Sequence, residues 1–276
     1  MALHEVFSTI VREFPLAFYG SILVGVICAY LGVYIVARRV IFLGAVLTQV
    51  SVLGLALTFL PVLAMPHTVG SAAMTLVTVV ILSRLLTGKK IPRDAVLGVV
   101  FASSVAVRIL VMQKTPRVEA AEIENLLRGD ILFVTPELFV LMAGAFVVVM
   151  AIQLLFFKEF AYMSFDPETA ATQGYRTGAW ELLFYLLAGV VISFSTHMVG
   201  DIFVFGYLVL PPVAAMLLVR RVRSIFLVSV LIGGIAPVIG LVLAFLFDLP
   251  SSPTIVAVAF VVLVVAWMQG VVRGRK

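Results

Sequence analysis

The stretch FLGAVLTQVSVLGLALTF, residues 42–59, is an apolar run long enough to cross a bilayer, and it carries three polar residues. Thr48, Gln49 and Ser51 lie near its middle, and the basic pair Arg38–Arg39 precedes it. Polar side chains inside a membrane are costly, so they bond to neighbouring helices or line a pathway. The run therefore predicts a membrane span whose polar residues have a structural or a transport role.

The composition extends this interpretation to the whole chain. Hydrophobic residues make up 63% of the 276 residues and charged residues 12%, against about 25% charged residues in soluble domains. This balance predicts a polytopic membrane protein. The net charge of +5 does not indicate nucleic-acid binding, because the basic residues flank apolar segments and form no separate patch. Cys28 is the single cysteine, so the chain cannot form an internal disulfide.

We predict one all-α membrane domain over residues 1–276, a polytopic helical bundle of about eight or nine transmembrane helices. The N-terminus lacks the basic region of a signal peptide, and the first apolar run is too long for one, so this run is predicted to be a retained span. Residues 197–219 are open to two interpretations, two close spans or one re-entrant segment. The predicted spans are 15–37, 40–60, 67–86, 94–112, 136–157, 179–197, 201–219, 225–247 and 254–271.

The orientation follows from the distribution of lysine and arginine. Fourteen of the nineteen basic residues fall at one set of span junctions. Basic residues are enriched on the cytoplasmic side, so the N-terminus is predicted outside and the C-terminus inside. Arg108 lies near a span end, from which it is expected to reach outward to water. The inner set is Arg38, Arg39, Arg84, Lys89, Lys90, Arg93, Lys158, Arg176, Arg220, Arg221, Arg223, Arg273, Arg275 and Lys276.

Two segments on the predicted inner side are candidates for contact with a cytoplasmic partner. In the first, Asp166 is placed to cap a helix that begins at Pro167 and ends at Gly174. In the second, LPPVAAMLLVRRVRS (210–224), two prolines are expected to break a helix, and a short helix then leads into basic residues. The alternative for the second segment is a kinked span with an ordinary basic flank.

Five segments, in order along the chain, resemble the membrane permease subunits of bacterial zinc, manganese and iron ABC transporters. The resemblance covers nearly the whole chain, and DLPSSPT within the last segment is its most specific part. The segments are LGVYIVARRVIFLG (31–44), LLRGDIL (126–132), KEFAYMSFDPETAATQG (158–174), VGDIFVFGYLVLPPVAAMLL (199–218) and GLVLAFLFDLPSSPTIVAV (240–258).

The resemblance implies a permease of the metal and cobalamin type, in the lipid of the bacterial inner (plasma) membrane. It implies a homodimer around a central pathway, two cytoplasmic ABC ATPase subunits and an extracytoplasmic metal-binding protein. The chain has no phosphate-binding Gly-Lys-Ser/Thr loop, so ATP hydrolysis is assigned to a partner, and neither enzymatic activity nor a cofactor is expected. The residues implied in ATPase coupling are Asp166, Gly174, Pro211, Pro212, Ala214 and Arg220.

The resemblance also bears on the polar residues of the opening stretch. Members of this family commonly have aspartate where Ala45 stands and Ser-His where Thr48–Gln49 stand. Aspartate and histidine four residues apart share a helix face and can bind one metal ion. Ala45 offers no ligand atom and Gln49 only an amide, so the usual site is absent or weakened. Thr48, Gln49 and Ser51 are then predicted to line the pathway or to form interhelical hydrogen bonds.

A second pair of residues repeats the missing spacing. His197 and Asp201 lie four residues apart in HMVGD. If the helix continued through Gly200, both side chains would project from one face and could bind a metal. We therefore predict His197 and Asp201 as metal ligands, with hydration at the outer boundary as the alternative.

Several functions remain open at this point. The leading prediction is import of a divalent transition metal, and Zn, Mn and Fe are not distinguished because they share ligand types. The missing aspartate and histidine keep open a permease of the same fold for a chelated or non-metal substrate. A secondary transporter or a membrane interaction protein is a further alternative, although the spans have almost no central acids for ion coupling.

Overall fold

The computed structural model describes residues 3–60, 65–86, 91–115, 124, 135–175 and 177–272, and every element in these ranges is a helix. The segment LLRGDIL (126–132), Lys89, Lys90, Arg176 and the last four residues lie outside the described ranges. The helices are α1 (Leu3–Glu13), α2 (Pro15–Ala37), α3 (Phe42–Thr58), α4 (His67–Leu86), α5 (Arg93–Met112), α6 (Pro136–Leu155), α7 (Phe157–Phe165), α8 (Pro167–Thr172), α9 (Thr177–Val199), α10 (Asp201–Leu218), α11 (Val222–Phe247) and α12 (Ser251–Val272).

Nine of these helices coincide with the nine predicted spans. Eight are long and apolar enough to cross a membrane, and α3 is shorter, with 17 residues. At a rise of 1.5 Å per residue α3 is about 25 Å long, close to the thickness of the hydrocarbon core. The predicted all-α membrane bundle is confirmed.

Gly200 separates α9 from α10 and decides the open question about residues 197–219. Its φ of 82° and ψ of 169° interrupt the helix in a region that glycine enters most easily. The helix α9 packs on α2, α3 and α4, whereas α10 packs on α2, α11 and α12. The segment therefore forms two helices, and the helix face that His197 and Asp201 were expected to share is not formed.

The expectation that Pro211 and Pro212 break a helix is wrong, because α10 runs through both prolines to Leu218. Pro212 has no N–H, so it leaves the Leu208 carbonyl without its usual helical donor. That carbonyl oxygen lies against Gly32 of α2, where a Cβ atom would overlap it. A neighbouring Cα–H group can partly satisfy such an oxygen, and membrane helices tolerate proline when neighbours do so. The chain leaves the helix at Val219 instead, ahead of the basic turn.

The helix α2 is the centre of the bundle. In its most apolar 18-residue window 72% of the residues are buried, against 17% in α5 and 22% in α12. Gly25 of α2 and Gly233 of α11 meet so closely that a Cβ on either would overlap the backbone of the other. Small residues bring membrane helices together in this way, since apolar contact with lipid is as favourable as contact with leucine.

Arg38, which follows α2, connects this helix to α7 and α9. Its Nε donates a hydrogen bond of 2.8 Å to Ser164 Oγ on α7, and its guanidinium lies 4.1 Å from the centre of the Phe184 ring on α9. Such cation–π contacts stabilise buried guanidinium groups. The helix α7 is thereby held against α2 and α9.

Candidate functional site

A cavity of about 250 Å³ lies between α3, α5 and α10. Thr48, Gln49 and Asp201 share it, so three of the predicted pathway and metal residues are brought together. Ala45 also lies on its wall, at the position where the resembled family commonly has aspartate. The full lining is Phe42, Ala45, Thr48, Gln49, Phe101, Asp201, Ile202 and Phe205.

Gln49 and Asp201 are directly bonded across this cavity. Gln49 Nε2 donates a hydrogen bond of 2.9 Å to Asp201 Oδ2, which fixes the amide orientation because a carboxylate only accepts. The other two oxygens, Gln49 Oε1 and Asp201 Oδ1, are buried without a hydrogen-bond partner among the described residues. An unpaired buried polar atom costs about 1–3 kcal/mol, so the pair indicates a place for a ligand.

Arg108 on α5 is the third polar group of this region. Its Nε and Nη1 atoms are buried and unpartnered in the part of the chain that the structure describes. Arg108 is partly exposed, so its predicted reach towards water stays a prediction.

Ser51 lies outside the cavity lining, in a cluster of three buried serines. Its Oγ atom is 2.7 Å from Ser71 Oγ and 3.4 Å from Ser193 Oγ, and the last two are 3.0 Å apart. These hydrogen bonds link α3, α4 and α9. For Ser51 the geometry agrees with the interhelical alternative.

His197 is associated with this serine cluster and does not line the cavity. Its Nδ1 atom lies 3.0 Å from the Ser193 carbonyl oxygen. Its Nε2 atom is buried without a partner within the described ranges. Among the described residues no group of three or more His, Cys, Asp and Glu side chains could hold a metal. The observed partner of Asp201 is Gln49. The four-residue spacing had instead predicted His197 as its partner.

The two segments that were predicted to contact a cytoplasmic partner lie side by side. Asp166 and Arg223 line one cavity of about 380 Å³, together with Phe157, Lys158, Ala161, Tyr162, Phe165 and Val222. Asp166 caps α8 as predicted, accepting a 3.2 Å bond from the Thr169 N–H. Hydrogen bonding by the Thr169 side chain, and then by this N–H, holds the pKa of the Asp166 carboxyl below its usual value. Gly174 follows the end of α8 with a φ of +82°.

The predicted coupling residues separate into an exposed and a buried set. Asp166, Gly174 and Arg220 are exposed. Pro211, Pro212 and Ala214 are buried inside α10. The expectation of a surface helix directly after the prolines is wrong because α10 continues through this region inside the bundle. The exposed surface begins at Arg220.

Comparison with known proteins supports a common family and fold. The model of the ABC 3 transport family matches residues 13–270. The "Manganese transport system membrane protein MntD" of Bacillus subtilis is 31% identical, with 80% of this chain and 79% of that protein covered. The "Probable iron transport system membrane protein" of Haemophilus influenzae is 25% identical, with 90% and 86% covered. In the solved structure of PsaBC from Streptococcus pneumoniae with a Fab, one chain superposes with a TM-score of 0.83 at 22% identity, covering 95% of this chain and 94% of that one.

Proposed function

Since the chain belongs to the ABC 3 transport family, we propose that it is the permease subunit of an ABC importer for a divalent transition metal. The observation that carries this proposal is the hydrogen-bonded pair of Gln49 and Asp201, two polar residues in the wall of a cavity between transmembrane helices. Charged groups inside membranes generally face a substrate path. Membership of this family removes the alternative of a secondary transporter.

In this proposal the cavity is part of the substrate pathway, and Thr48, Gln49 and Asp201 are its polar wall. Asp201 contributes the negative charge that attracts a cation. His197 remains a proposed ligand at a separate position, on the strength of its unpartnered buried Nε2. Ser51 acts on the pathway only indirectly, by holding α3 against α4 and α9.

We propose that a second copy of the chain covers the cavity. Ile202 at the cavity wall is 46% exposed, and Val107 and Leu110 on the neighbouring α5 are also exposed. Lipid next to a carboxylate and an amide would be unfavourable, because hydrocarbon satisfies neither. A homodimer with this face inside would enclose two Asp201 side chains in one pathway, with lipid on the remaining apolar faces.

The proposed partners follow from the same assignment. An ATPase subunit contacts the inner surface formed by Asp166, Gly174, Arg220 and Arg223 and supplies ATP hydrolysis, so this chain is a permease and not an enzyme. An extracytoplasmic metal-binding protein delivers the ion from the other side. The chain is a single permease domain of the bacterial inner membrane, with its N-terminus outside and its C-terminus in the cytoplasm.

The proposal is tested by reconstituting the permease, its ATPase and its binding protein in proteoliposomes. We expect ATP-dependent uptake of Mn²⁺, Zn²⁺ or Fe²⁺. We expect the exposed inner variants Arg220→Glu and Arg223→Glu to reduce both ATPase stimulation and uptake, and the exposed outer variant Arg12→Glu to leave them unchanged. Absence of uptake of all three metals by an assembled, ATP-hydrolysing complex would contradict the assignment.

The orientation is tested by cysteine labelling in intact cells, in a Cys28→Ser background. Lys158 and Asp248 are both exposed and are predicted on opposite sides of the membrane. An impermeant reagent is expected to label Asp248→Cys and not Lys158→Cys. The reverse pattern would invert the proposed topology.

One observation favours the second candidate, a chelated substrate. Phe42, Phe101 and Phe205 make much of the cavity wall aromatic, as in sites that bind small organic molecules. Uptake of a metal chelate, with no uptake of the free ion by the same complex, would select this candidate.

A further inference from the structure

We propose that His67 and His197 together bind one divalent transition-metal ion between the ends of α4 and α9, and that this site takes an imidazole-preferring ion such as Zn²⁺. His67 is the first residue of α4, and His197 lies in the last turn of α9. Neither residue lines the cavity that Gln49 and Asp201 share, so the site is separate from it. The inference rests on the ligand role proposed for His197 and adds a second ligand, on another helix, and the class of ion.

The packing of α4 against α9 shows how the two helices are aligned. Ser71 Oγ and Ser193 Oγ are 3.0 Å apart. One turn before Ser193, Gly189 packs against Thr75 and Val79, whose methyl groups lie 3.6 and 3.0 Å from the position that a Cβ on this glycine would take. The two helices are therefore antiparallel, and a turn forward along one matches a turn back along the other.

The same alignment brings the two histidines to one level. His197 is four residues after Ser193, and His67 is four residues before Ser71. Side chains four residues apart share a helix face, so both histidines lie on the facing sides of the two helices. Four residues of helix rise about 6 Å, so both lie one turn beyond the contact between the serines. A metal ion bound by both rings would connect the ends of α4 and α9.

The hydrogen bond of His197 leaves one ring nitrogen free for a metal. Its Nδ1 atom lies 3.0 Å from the Ser193 carbonyl oxygen. A carbonyl oxygen only accepts, so Nδ1 carries the proton and donates it. In the neutral ring Nε2 then holds a lone pair, and this atom is buried without a partner among the described residues. Histidine ligands of metals have this arrangement, with the other ring nitrogen donating to a carbonyl or carboxylate oxygen.

His67 is held in the same tautomer by a different acceptor. Thr58 Oγ1 donates its one proton to the Leu55 carbonyl oxygen, at 2.6 Å. Towards His67 Nδ1, also at 2.6 Å, the same hydroxyl oxygen therefore accepts. The His67 ring is exposed and stacks on Phe59, with 4.3 Å between the ring centres. Its Nε2 atom thus holds a lone pair, on a ring that is fixed in place and open to a ligand.

Two imidazole nitrogens select the class of ion. Imidazole suits Zn²⁺, Cu²⁺ and Ni²⁺, whereas Mn²⁺ and Mg²⁺ are better suited by carboxylate and carbonyl oxygens. Within the described ranges no third His, Cys, Asp or Glu side chain completes a metal-binding group, so water fills the remaining coordination positions. The site therefore has two protein ligands, and the loss of either ring removes the bridge between the helices.

The test is Zn²⁺ binding to the purified full-length chain in lipid nanodiscs, measured with ZnCl₂ by isothermal titration calorimetry. We expect one ion per chain, and binding at least about tenfold weaker in His67→Ala and in His197→Ala, since even outer partners of a ligand contribute that much. The double variant should bind about as weakly as either single variant. Thr58→Val removes the acceptor of His67 Nδ1 and should weaken binding about tenfold. His4→Ala removes the third histidine of the chain, is the matched control and should bind as wild type.

Thermal unfolding of the same samples shows whether each variant is folded. Without metal, the unfolding temperatures of His67→Ala and His197→Ala should be measurable and cooperative. Added ZnCl₂ should raise the unfolding temperature of the wild type and of His4→Ala, because a ligand that binds the folded state stabilises it. The same addition should leave the two other variants unchanged.

The outcomes separate this inference from the proposed function, because the assay uses the chain alone and needs no transport. Absence of Zn²⁺ binding by the wild type, or binding unchanged in a folded His67→Ala or His197→Ala variant, overturns the inference even if the complete complex takes up metal. Two ions per chain, with additive losses in the double variant, also overturn it, since each histidine would then bind its own ion. If the complex hydrolyses ATP and transports no metal, the proposed function is wrong, and a positive binding result still supports the site.

Discussion

Gln49 and Ser51 are two residues apart on α3, yet their surroundings differ in one decisive respect. Ser51 is bonded to Ser71 and Ser193, and each of the three hydroxyls has a partner. Gln49 is bonded to Asp201, and this pair leaves two buried oxygens without partners in the described structure. Both groups are polar and lie inside apolar helices, so polarity alone does not distinguish them.

The completeness of hydrogen bonding distinguishes polar groups that stabilise helix packing from polar groups with a role in transport. A closed set of hydrogen bonds holds helices together and needs nothing further. An open set carries a free-energy cost of about 1–3 kcal/mol for each unpaired atom, so it contributes less to stability than a closed set. We therefore assign the serine cluster to packing and the Gln49–Asp201 pair to transport.

The largest expected effect comes from removing the carboxylate. Asp201→Ala should reduce metal uptake to background while the protein still assembles with its ATPase, because the pathway loses its negative charge. Gln49→Ala should be milder, since it removes only a neutral oxygen. Uptake into proteoliposomes at equal protein is the measurement. Wild-type uptake by Asp201→Ala would place Asp201 with the structural groups.

Arg108 should have the next largest effect. Arg108→Gln removes a charge that repels the bound cation, so Mn²⁺ affinity should rise on the order of tenfold, which corresponds to about 1.4 kcal/mol. Tighter binding should slow release and reduce the uptake rate. Binding in nanodiscs and uptake in proteoliposomes measure the two effects. Unchanged affinity would show that Arg108 does not influence the site.

The Nδ1 atom of His197 lies 3.0 Å from the backbone carbonyl oxygen of Ser193, and its Nε2 atom has no partner in the described structure, so this residue tests where the boundary between the two regions lies. We expect His197→Ala to lower uptake only partly, and clearly less than Asp201→Ala does. A loss as complete as that of Asp201→Ala would make His197 a primary metal ligand. The two variants should be compared in one uptake experiment.

The smallest expected effect is that of Ser51→Ala. One hydrogen bond between membrane helices contributes about 0.6 kcal/mol, and the bond between Ser71 and Ser193 remains. Thermal unfolding in detergent should detect a slight destabilisation, with uptake close to wild type. Strong loss of uptake from a stable Ser51→Ala protein would assign the serine cluster to the pathway.

The fold could be predicted from the sequence almost completely, because the length and hydropathy of each span are local properties. The nine spans and the cap at Asp166 follow from such local signals. The site could be predicted only in part. Asp201 and Gln49 were both singled out, but their contact joins helices far apart in the chain, and the break at Gly200 removed the spacing on which His197 was paired with Asp201.

The difference at the two prolines has the same physical origin. Prolines stop helices in water, but α10 continues through Pro211 and Pro212 because Gly32 of α2 lies against the freed carbonyl. The positions of the helices follow from local sequence, whereas the contacts of their polar groups depend on residues that are distant in the chain.

The most direct test of the central claim replaces all three groups of the open region together, in the variant Gln49→Leu, Arg108→Met, Asp201→Leu. Replacing incompletely partnered buried polar and charged groups by apolar ones is often neutral or stabilises by about 1–4 kcal/mol. The measurement is thermal unfolding of the purified variant together with metal uptake by its reconstituted complex. Our account predicts equal or higher stability and complete loss of uptake. Lower stability with uptake preserved would contradict it and make these groups part of the scaffold.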